Sequence, residues 1–554
     1  MDYDKLADFL FPDVTNDPDK YESIYPERNL PEGACVTRLG PSPTGFIHLG
    51  NLFSAFADER IAHQSGGIFF LRIEDTDDKR FVEGAAETVI RSLDYFGIRF
   101  DEGAGADGDT GNYGPYHQSE RGPIYQAYVK RLVRRGQAYP CFMTEEELSE
   151  IRKTQEENHE NPGIYGKWAR CRDLSFEEIE QRVNAGEPYV IRLRSDGSND
   201  DPETITVNDA IRGEIKMPEN SMDVVILKAT GIPTYHFAHV VDDHLMRTTH
   251  VVRGEEWLSS LPIHIELFDK MGWKPPVYCH TAHLMKIGEN GTKRKLSKRK
   301  DPELSLDYYR KDGYHPAAVR EYLLMLLNSN FEEWRIANPD APASDFEFSV
   351  SKMSNSGALF DLDKLNNVCK DVLVKIPARE LAEFMTAWAE EFRPEAFHLF
   401  KGREDYIAKI LDLGRTGKKP RKDLVCASQI FEFISYFFDE YFKIEEDLPE
   451  RVSKEDAAAI LGSYLETYDH SDDQSTWFEK IRDIAEKYGY AKKPKDFKKN
   501  PDAYKGHVGD VSTVIRLAIV GRSQSPDVWE IQQILGKERT EKRIKEFETA
   551  LERA

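Results

Sequence analysis

The sequence predicts an α/β fold: a parallel sheet interrupted by an α+β insertion, followed by a mainly α-helical C-terminal region. Three observations predict it. Residues 34–77 read as strand, turn, helix, strand, with polar residues gathered at the strand ends. Short apolar strands resume at Val224-Val225-Ile226-Leu227 and Val251-Val252 after a stretch of mixed character. Beyond about Asp301 the apolar residues recur at helical spacing.

The first strand is the apolar run Ala34-Cys35-Val36, leading into Arg38-Leu39-Gly40. Pro41-Ser42-Pro43-Thr44-Gly45 forms a turn, and Phe46-Ile47-His48-Leu49-Gly50-Asn51 opens a helix. Leu52, Phe53 and Phe56 continue that helix to Gly66-Gly67, where the second strand begins and delivers Glu74-Asp75-Thr76-Asp77. This order is a βαβ half with a phosphate-accepting turn at the carboxyl end of its first strand. His48 sits where a phosphate would lie, and Gly45 and Gly50 allow backbone and a flat ring to approach closely.

The next helix shows Val89, Leu93 and Phe96 on one face and ends at Gly97. After a Gly/Asp-rich loop, Pro115-Tyr116-His117-Gln118-Ser119-Glu120-Arg121 introduces a helix with Ile124, Tyr128 and Leu132 aligned. Pro233-Thr234-Tyr235-His236, Val240-Val241-Asp242-Asp243 and Arg253-Gly254-Glu255-Glu256-Trp257 belong to the resumed sheet. Downstream, Ile430, Phe433, Ile434, Phe437 and Tyr441 form one helical stripe, and Trp477, Ile481, Ile484 and Tyr488 another, both read as helix core.

At 554 residues the chain is long enough for several domains. It has no run of about 18 apolar residues, so no membrane span is expected. The aspartate-rich N-terminus lacks the features of a signal or transit peptide. Six cysteines without paired spacing suit reduced thiols in a cytoplasmic protein. The net charge of −23 leaves nucleic acid to local basic segments: Lys130-Arg131 with Arg134-Arg135, Lys418-Lys419-Pro420-Arg421-Lys422, and Lys492-Lys493-Pro494-Lys495. RNA affinity on such a surface should be salt-sensitive.

Lys293-Arg294-Lys295-Leu296-Ser297-Lys298-Arg299-Lys300 is the densest basic run. Alone it reads as a solvated loop. Paired with the His48 turn, it resembles the second signature of class I aminoacyl-tRNA synthetases. The form Arg-x-x-Pro-Ser-Pro-Thr-Gly-x-x-His-x-Gly from Arg38 to Gly50, with Arg72-Ile73-Glu74-Asp75-Thr76-Asp77 behind it, resembles the glutamyl-tRNA synthetases in particular. The resemblance covers nearly the whole chain from about Cys35. It implies a Rossmann-like catalytic domain in two halves, 34–121 and 229–300, around an acceptor-stem-binding insertion, 122–228. A stem-contact region, 301–371, and a helical anticodon-binding region, 372–554, follow. Residues 1–33 are an acidic extension without a motif.

Making an aminoacyl-adenylate requires alignment and charge stabilisation at phosphate. His48 is the candidate donor to the α-phosphate. Lys295 and Lys298, on a mobile loop around Ser297, are the candidates for the β- and γ-phosphates. Arg38 and Arg253, at strand ends in the two halves, suit a carboxylate substrate. The resemblance assigns them to glutamate, with Ser42 in the same pocket. Tyr235 could donate a hydroxyl hydrogen bond and Glu74 could hold the α-ammonium. For Arg38 and Glu74 the plainer alternative is a structural ion pair. The resemblance also places Glu256 and Trp257 on the ATP side and Asp77 and Arg80 near the terminal adenosine of tRNA.

Two positions depart from the family. His239 stands where many members have Asn or a small residue. The zinc-binding Cys-x-Cys of some bacterial members reads Cys141-Phe142-Met143, with Cys171 later; Met is a poor zinc ligand, so no structural zinc is expected. The expected partners are ATP with Mg²⁺, L-glutamate and tRNA(Glu), with tRNA(Gln) as an alternative acceptor, acting on a monomer. A glutaminyl-tRNA synthetase would usually show Pro-Glu-Pro-Asn-Gly in place of Pro41-Ser42-Pro43-Thr44-Gly45.

Overall fold

The computed structural model describes residues 1–43, 47–77, 82, 84–415 and 420–553. The chain divides into two compact units, residues 1–310 with 319–362, and residues 311–318 with 363–554.

The first unit begins with two short helices, α1 (Tyr3–Leu10) and α2 (Pro18–Ile24), N-capped by Asp2 and Asp17. The parallel sheet follows. β1 (Val36–Leu39) leads to helix α3 (Leu49–Gln64), which returns to β2 (Ile68–Leu71) paired parallel with β1. Helix α4 (Ala85–Tyr95) then leads to β3 (Glu102–Gly103), parallel to β2. β1 is buried along its whole length, as expected of a parallel strand covered on both faces. Leu52, Phe53 and Phe56 of α3 are buried. Each such side chain contributes about 1.5–3 kcal/mol of burial.

Helix α5 (Gly122–Arg134) follows, with Ile124, Tyr128 and Leu132 buried. Beyond it lies the mixed region. Strand β4 (Ala138–Cys141) and helices α6 (Glu145–Glu157) and α7 (Phe176–Asn184) precede β5 (Val190–Leu193). A hairpin of β6 (Thr204–Asp209) and β7 (Gly213–Pro218) projects before β8 (Val225–Leu227). β8 pairs antiparallel with β5 in the sheet β4-β5-β8, so this apolar run belongs with the mixed region and not with the parallel strands.

Helix α8 (Tyr235–Leu245), β9 (His250–Gly254), helix α9 (Leu261–Met271) and β10 (Val277–Thr281) complete the parallel architecture. β9 is tied beside β1 by Thr249, whose N–H donates to Val36 O at 2.9 Å. The basic run then departs from expectation. β11 (Leu284–Ile287) and β12 (Lys293–Lys295) form an antiparallel pair, and β11 also pairs with β13 (Ala358–Leu359). The start of the run is therefore a strand, and a turn follows only at Lys298–Lys300.

The N-terminal extension explains the fate of one basic segment. α1 packs on α5, and the acids of the extension meet its cations: Lys130–Asp8 at 2.9 Å, Arg131–Asp17 at 2.8 Å and Arg134–Asp8 at 2.9 Å. Lys492 is likewise paired, with Asp483 and Glu486. Lys422 pairs with Asp371, whereas Lys418 and Lys419 lie outside the described residues. The α5 segment and Lys422 read as basic in sequence because their compensating acids are remote in the chain, whereas the acids on Lys492 come from the preceding helical stretch.

The second unit is built mainly from helices around an apolar core that includes Trp388, Tyr464, Trp477, Ile481 and Ile515. The stripe expected from Ile430 to Tyr441 does not hold as one helix. It ends at Ile434, becomes a 3₁₀ turn over Ser435–Phe437, and leaves Tyr441 exposed. Arg539 donates to Phe437 O, supplying a side-chain partner where the helical ladder stops.

No helix among the described residues is long and apolar enough to cross a membrane.

Candidate active site

The carboxyl ends of β1, β2 and β9 open into a crevice of about 1040 Å³. Of the residues singled out from sequence, Arg38, Ser42, His48, Gly50, Glu74, Asp77, Tyr235, Arg253, Glu256, Trp257 and Lys295 line it. Ser297 and Lys298 do not; they follow directly on the lining residue Leu296. Gly45 and Arg80 lie outside the described residues.

His48 is the N-cap of α3. Its Nδ1 accepts from the Asn51 N–H at 3.3 Å, and Asn51 Oδ1 accepts from the His48 N–H at 3.1 Å. This reciprocal cap puts the imidazole proton on Nε2, leaving a neutral N–H donor on the far side of the ring. Burial lowers the His48 pKa, and the charges of Lys295 and Lys298 lower it further against Glu256. The two signature segments, some 245 residues apart by number, thus act on one ring. A Cβ on Gly50 would lie 2.9 Å from His48 Nδ1, which explains the glycine there.

The basic run is pinned from below. Arg294 forms a bidentate pair with Asp301 at 2.6 and 2.7 Å, and the Ser297 N–H donates to Asp301 at 2.8 Å. These bonds pull the Asp301 carboxyl down to about 2, the Arg294 hydrogen bond leading. Leu296 is buried, while Lys295 and Lys298 are exposed. The expected mobile loop is thus a strand end and an anchored turn with Lys295 and Lys298 projecting.

The opposite end of the crevice is an ionic network. Arg38 Nε pairs with Asp243 Oδ1 at 3.2 Å, and Arg72 Nη1 with the same oxygen at 2.7 Å. Arg72 Nη2 reaches Glu74 Oε1 at 2.9 Å. All four are buried. Burial resists ionisation of Asp243, yet Arg38 and Arg72 hold its carboxyl well below the usual range. Glu74 is shifted upward, its burial outweighing Arg72 and Arg38. A structural ion pair and a place on the crevice wall therefore coexist in Arg38 and Glu74. A Cβ at Gly40 would strike Glu74 Oε1 at 2.3 Å.

Tyr235 packs against Trp257 with ring centroids 4.4 Å apart. His239 sits behind it, fully buried, with Nδ1 2.8 Å from Asp243 Oδ2 and Nε2 3.2 Å from the Tyr278 hydroxyl. Burial pushes its pKa down to about 3, so the ring is neutral. Asp242, the neighbour of Asp243, binds Arg121 at 2.7 Å and accepts from Tyr125 and Gln118, which gives the Gln118 to Arg121 segment its place.

Sequence reasoning missed Arg72 and Asp243 as the hub. The signal was present: two aspartates directly after Val240-Val241 on an apolar helix. It also missed that Cys141 and Cys171 are neighbours. Their thiols share a hydrogen bond that, with Arg192, favours the Cys141 thiolate against burial. Both thiols are free. Antiparallel β4 and the turn before α7 bring them together, which spacing alone could not reveal.

The family model for class I tRNA synthetases (E and Q), catalytic domain, matches residues 34–367, and an anticodon binding domain matches residues 380–547. The chain is 65% identical over 545 residues to the glutamate–tRNA ligase of Acetivibrio thermocellus, covering 98% of this chain and 99% of that protein. It is 48% identical over 552 residues to the glutamate–tRNA ligase of Clostridium perfringens (strain SM101), covering 99% of this chain and 100% of that one. A crystal structure of a glutamate tRNA ligase from Elizabethkingia meningosepticum in complex with its amino acid superposes with a TM-score of 0.74 at 29% identity, over 93% of this chain and 99% of that one.

Proposed function

We propose a division of labour along the crevice, starting from the premise that the chain belongs to the glutamate–tRNA ligase family of class I aminoacyl-tRNA synthetases. Its activity is the ATP-dependent joining of L-glutamate to tRNA(Glu), with AMP and diphosphate as the other products.

In the first step the α-carboxylate of glutamate attacks the α-phosphorus of ATP and diphosphate leaves. Little covalent help is needed; alignment and stabilisation of charge carry the rate. His48 donates its Nε2–H to an α-phosphate oxygen, a role supported by the Asn51 cap that fixes the tautomer. Lys295 and Lys298 neutralise the β- and γ-phosphates, and Mg²⁺ enters with ATP as part of the substrate. Gly45, Gly50, Glu256, Trp257 and Ser297 complete the nucleotide side.

Arg253 and Arg38 select the side-chain carboxylate, with Tyr235 and Ser42 beside it and Glu74 holding the α-ammonium. In the second step the ribose of the terminal adenosine attacks the mixed anhydride and AMP leaves, with Asp77 and Arg80 near that adenosine. The mixed region, 122–228, holds the acceptor end, residues 372–554 read the anticodon, and bound tRNA is needed for efficient activation.

One observation carries the reading: a single crevice is lined by His48, Lys295, Arg38 and Arg253 together. The test is charging of purified tRNA(Glu) and tRNA(Gln) with labelled glutamate and glutamine. Glutamate on tRNA(Glu) is expected, the tRNA(Gln) arm reads acceptor breadth, and glutamine charging alone overturns the assignment of the arginines.

A further inference from the structure

Behind the amino-acid end lies a set of buried histidines that neither signature explains. His280 Nε2 accepts from Arg253 Nε at 2.9 Å, and His280 Nδ1 lies 2.7 Å from Asp209 Oδ2. His264 Nδ1 lies 3.1 Å from Arg253 Nη1, and His264 Nε2 lies 3.0 Å from His236 Nδ1. His264, His280, Arg253 and Asp209 are all buried.

A guanidinium only donates, so each imidazole nitrogen facing it carries no proton. His280 therefore keeps its proton on Nδ1 and donates to Asp209. His264 keeps its proton on Nε2 and donates to His236. Each tautomer is set from the side away from the arginine. The register agrees, because Arg253 and His280 are direct partners in the β9–β10 pair. Beneath the guanidinium the Tyr278 ring lies 4.6 Å away. Arginine has five N–H donors, and the two histidines occupy one on Nε and one on Nη1. Nη2 is buried and has no hydrogen-bond partner among the described residues, on a side chain that lines the crevice.

We propose that His264 and His280, steadied by His236 and Asp209, are positioning residues. They hold the Arg253 fork so that Nη2 and the remaining Nη1 hydrogen face the side-chain carboxylate of the substrate. The inference rests on the reading above that Arg253 binds that carboxylate. A pure acceptor satisfies both donors, whereas an amide turns an N–H toward one of them, so a fork that cannot swivel favours glutamate over glutamine. Asp209 ends β6, and its Oδ1 accepts from the Ile211 and Arg212 N–H groups at 2.9 Å each. The posture of Arg253 is thus set in part by a hairpin outside the parallel strands.

The test compares amide variants of similar bulk in the full-length protein, by steady-state tRNA charging. Asn places its oxygen near the position of Nδ1 and Gln near that of Nε2. His264→Asn and His280→Gln therefore keep the acceptor, while His264→Gln and His280→Asn misplace it. The first pair should stay within about threefold of the parent KM for glutamate, and the second should raise it about tenfold or more, with KM for ATP unchanged. Equal KM values within each position, or parallel loss of ATP affinity, would overturn the relay. Arg253→Ala separates the two readings. If it leaves KM for glutamate unchanged, the carboxylate assignment falls and the relay with it. If it raises that KM while the amide pairs stay equal, the relay alone falls.

Discussion

At the end of the crevice proposed for the nucleotide, Lys295 and Lys298 are exposed on a segment anchored by one aspartate, and the neutral His48 is fixed by a helix cap. At the amino-acid end the charged groups are buried and hold one another. Lys295 and Lys298 are exposed, Lys295 Nζ lying 3.3 Å from His283 Nε2, whereas Arg38, Arg72, Glu74 and Asp243 share one buried cluster. We attribute the difference to the ligands proposed for each end. A triphosphate arrives and leaves as diphosphate, so its partners must meet changing charge, which flexible point charges do well. A single carboxylate must be told from an amide, which demands fixed donors and a dry wall.

The comparison breaks hardest at Asp243. Asp243→Ala leaves Arg38 and Arg72 buried with one carboxylate between them, and removing one partner of a buried pair typically costs about 3–5 kcal/mol. Urea unfolding should show that loss; a change of under about 1 kcal/mol would mean the cluster is not a structural hub.

Lys298→Ala should cost about 2.7–4 kcal/mol of transition-state stabilisation while leaving protein stability unchanged. Diphosphate exchange should show a fall in activation rate far larger than any change in ATP affinity. An equal loss in both would make Lys298 a ground-state contact.

The third difference is in pH. The folded His239 titrates at about 3 because it is buried, against 6.5 for the free side chain. Between those values the unfolded chain binds the extra proton, so stability falls as pH drops from 6.5 toward 3. The slope from this residue approaches about 1.4 kcal/mol per pH unit. His239→Asn should remove that part of the acid slope in unfolding curves recorded from pH 7 to 5. An unchanged slope would show that His239 does not titrate differently on unfolding.

The smallest effect concerns metal. Cys141 and Cys171 are two thiols with Met143 in place of a further thiolate. Metal analysis should find no stoichiometric zinc, and charging should be unchanged in protein stripped with a chelator and then assayed with Mg²⁺ restored; one zinc per chain would overturn this.

The nucleotide end was the more legible of the two. His48, Gly50, Lys295 and Lys298 occur in short contiguous signatures because the groups proposed to meet phosphate are presented by one helix cap and by one strand end with the turn after it. Even there, the sequence suggested a loop where β12 forms, because alternating cations look alike in a loop and on an exposed strand. At the other end the sequence singled out Arg38, Ser42, Glu74, Tyr235 and Arg253, all of which line the crevice. Its supporting residues, Asp209, Asp243, His264 and His280, come from four separate elements and Arg72 from just beyond the end of β2, and no local spacing links them.

By itself the sequence determined the parallel βαβ order, the helical C-terminal region and the two signatures, since strand burial, helix periodicity and caps are local properties of the chain. Tertiary structure alone decided which acid meets which base: Asp8 on Lys130 and Arg134, Asp243 between Arg38 and Arg72, Asp209 behind His280. The reason is physical. A charge can be buried only where an opposite charge or a hydrogen-bond partner arrives with it, and those partners are brought together by packing across the whole unit.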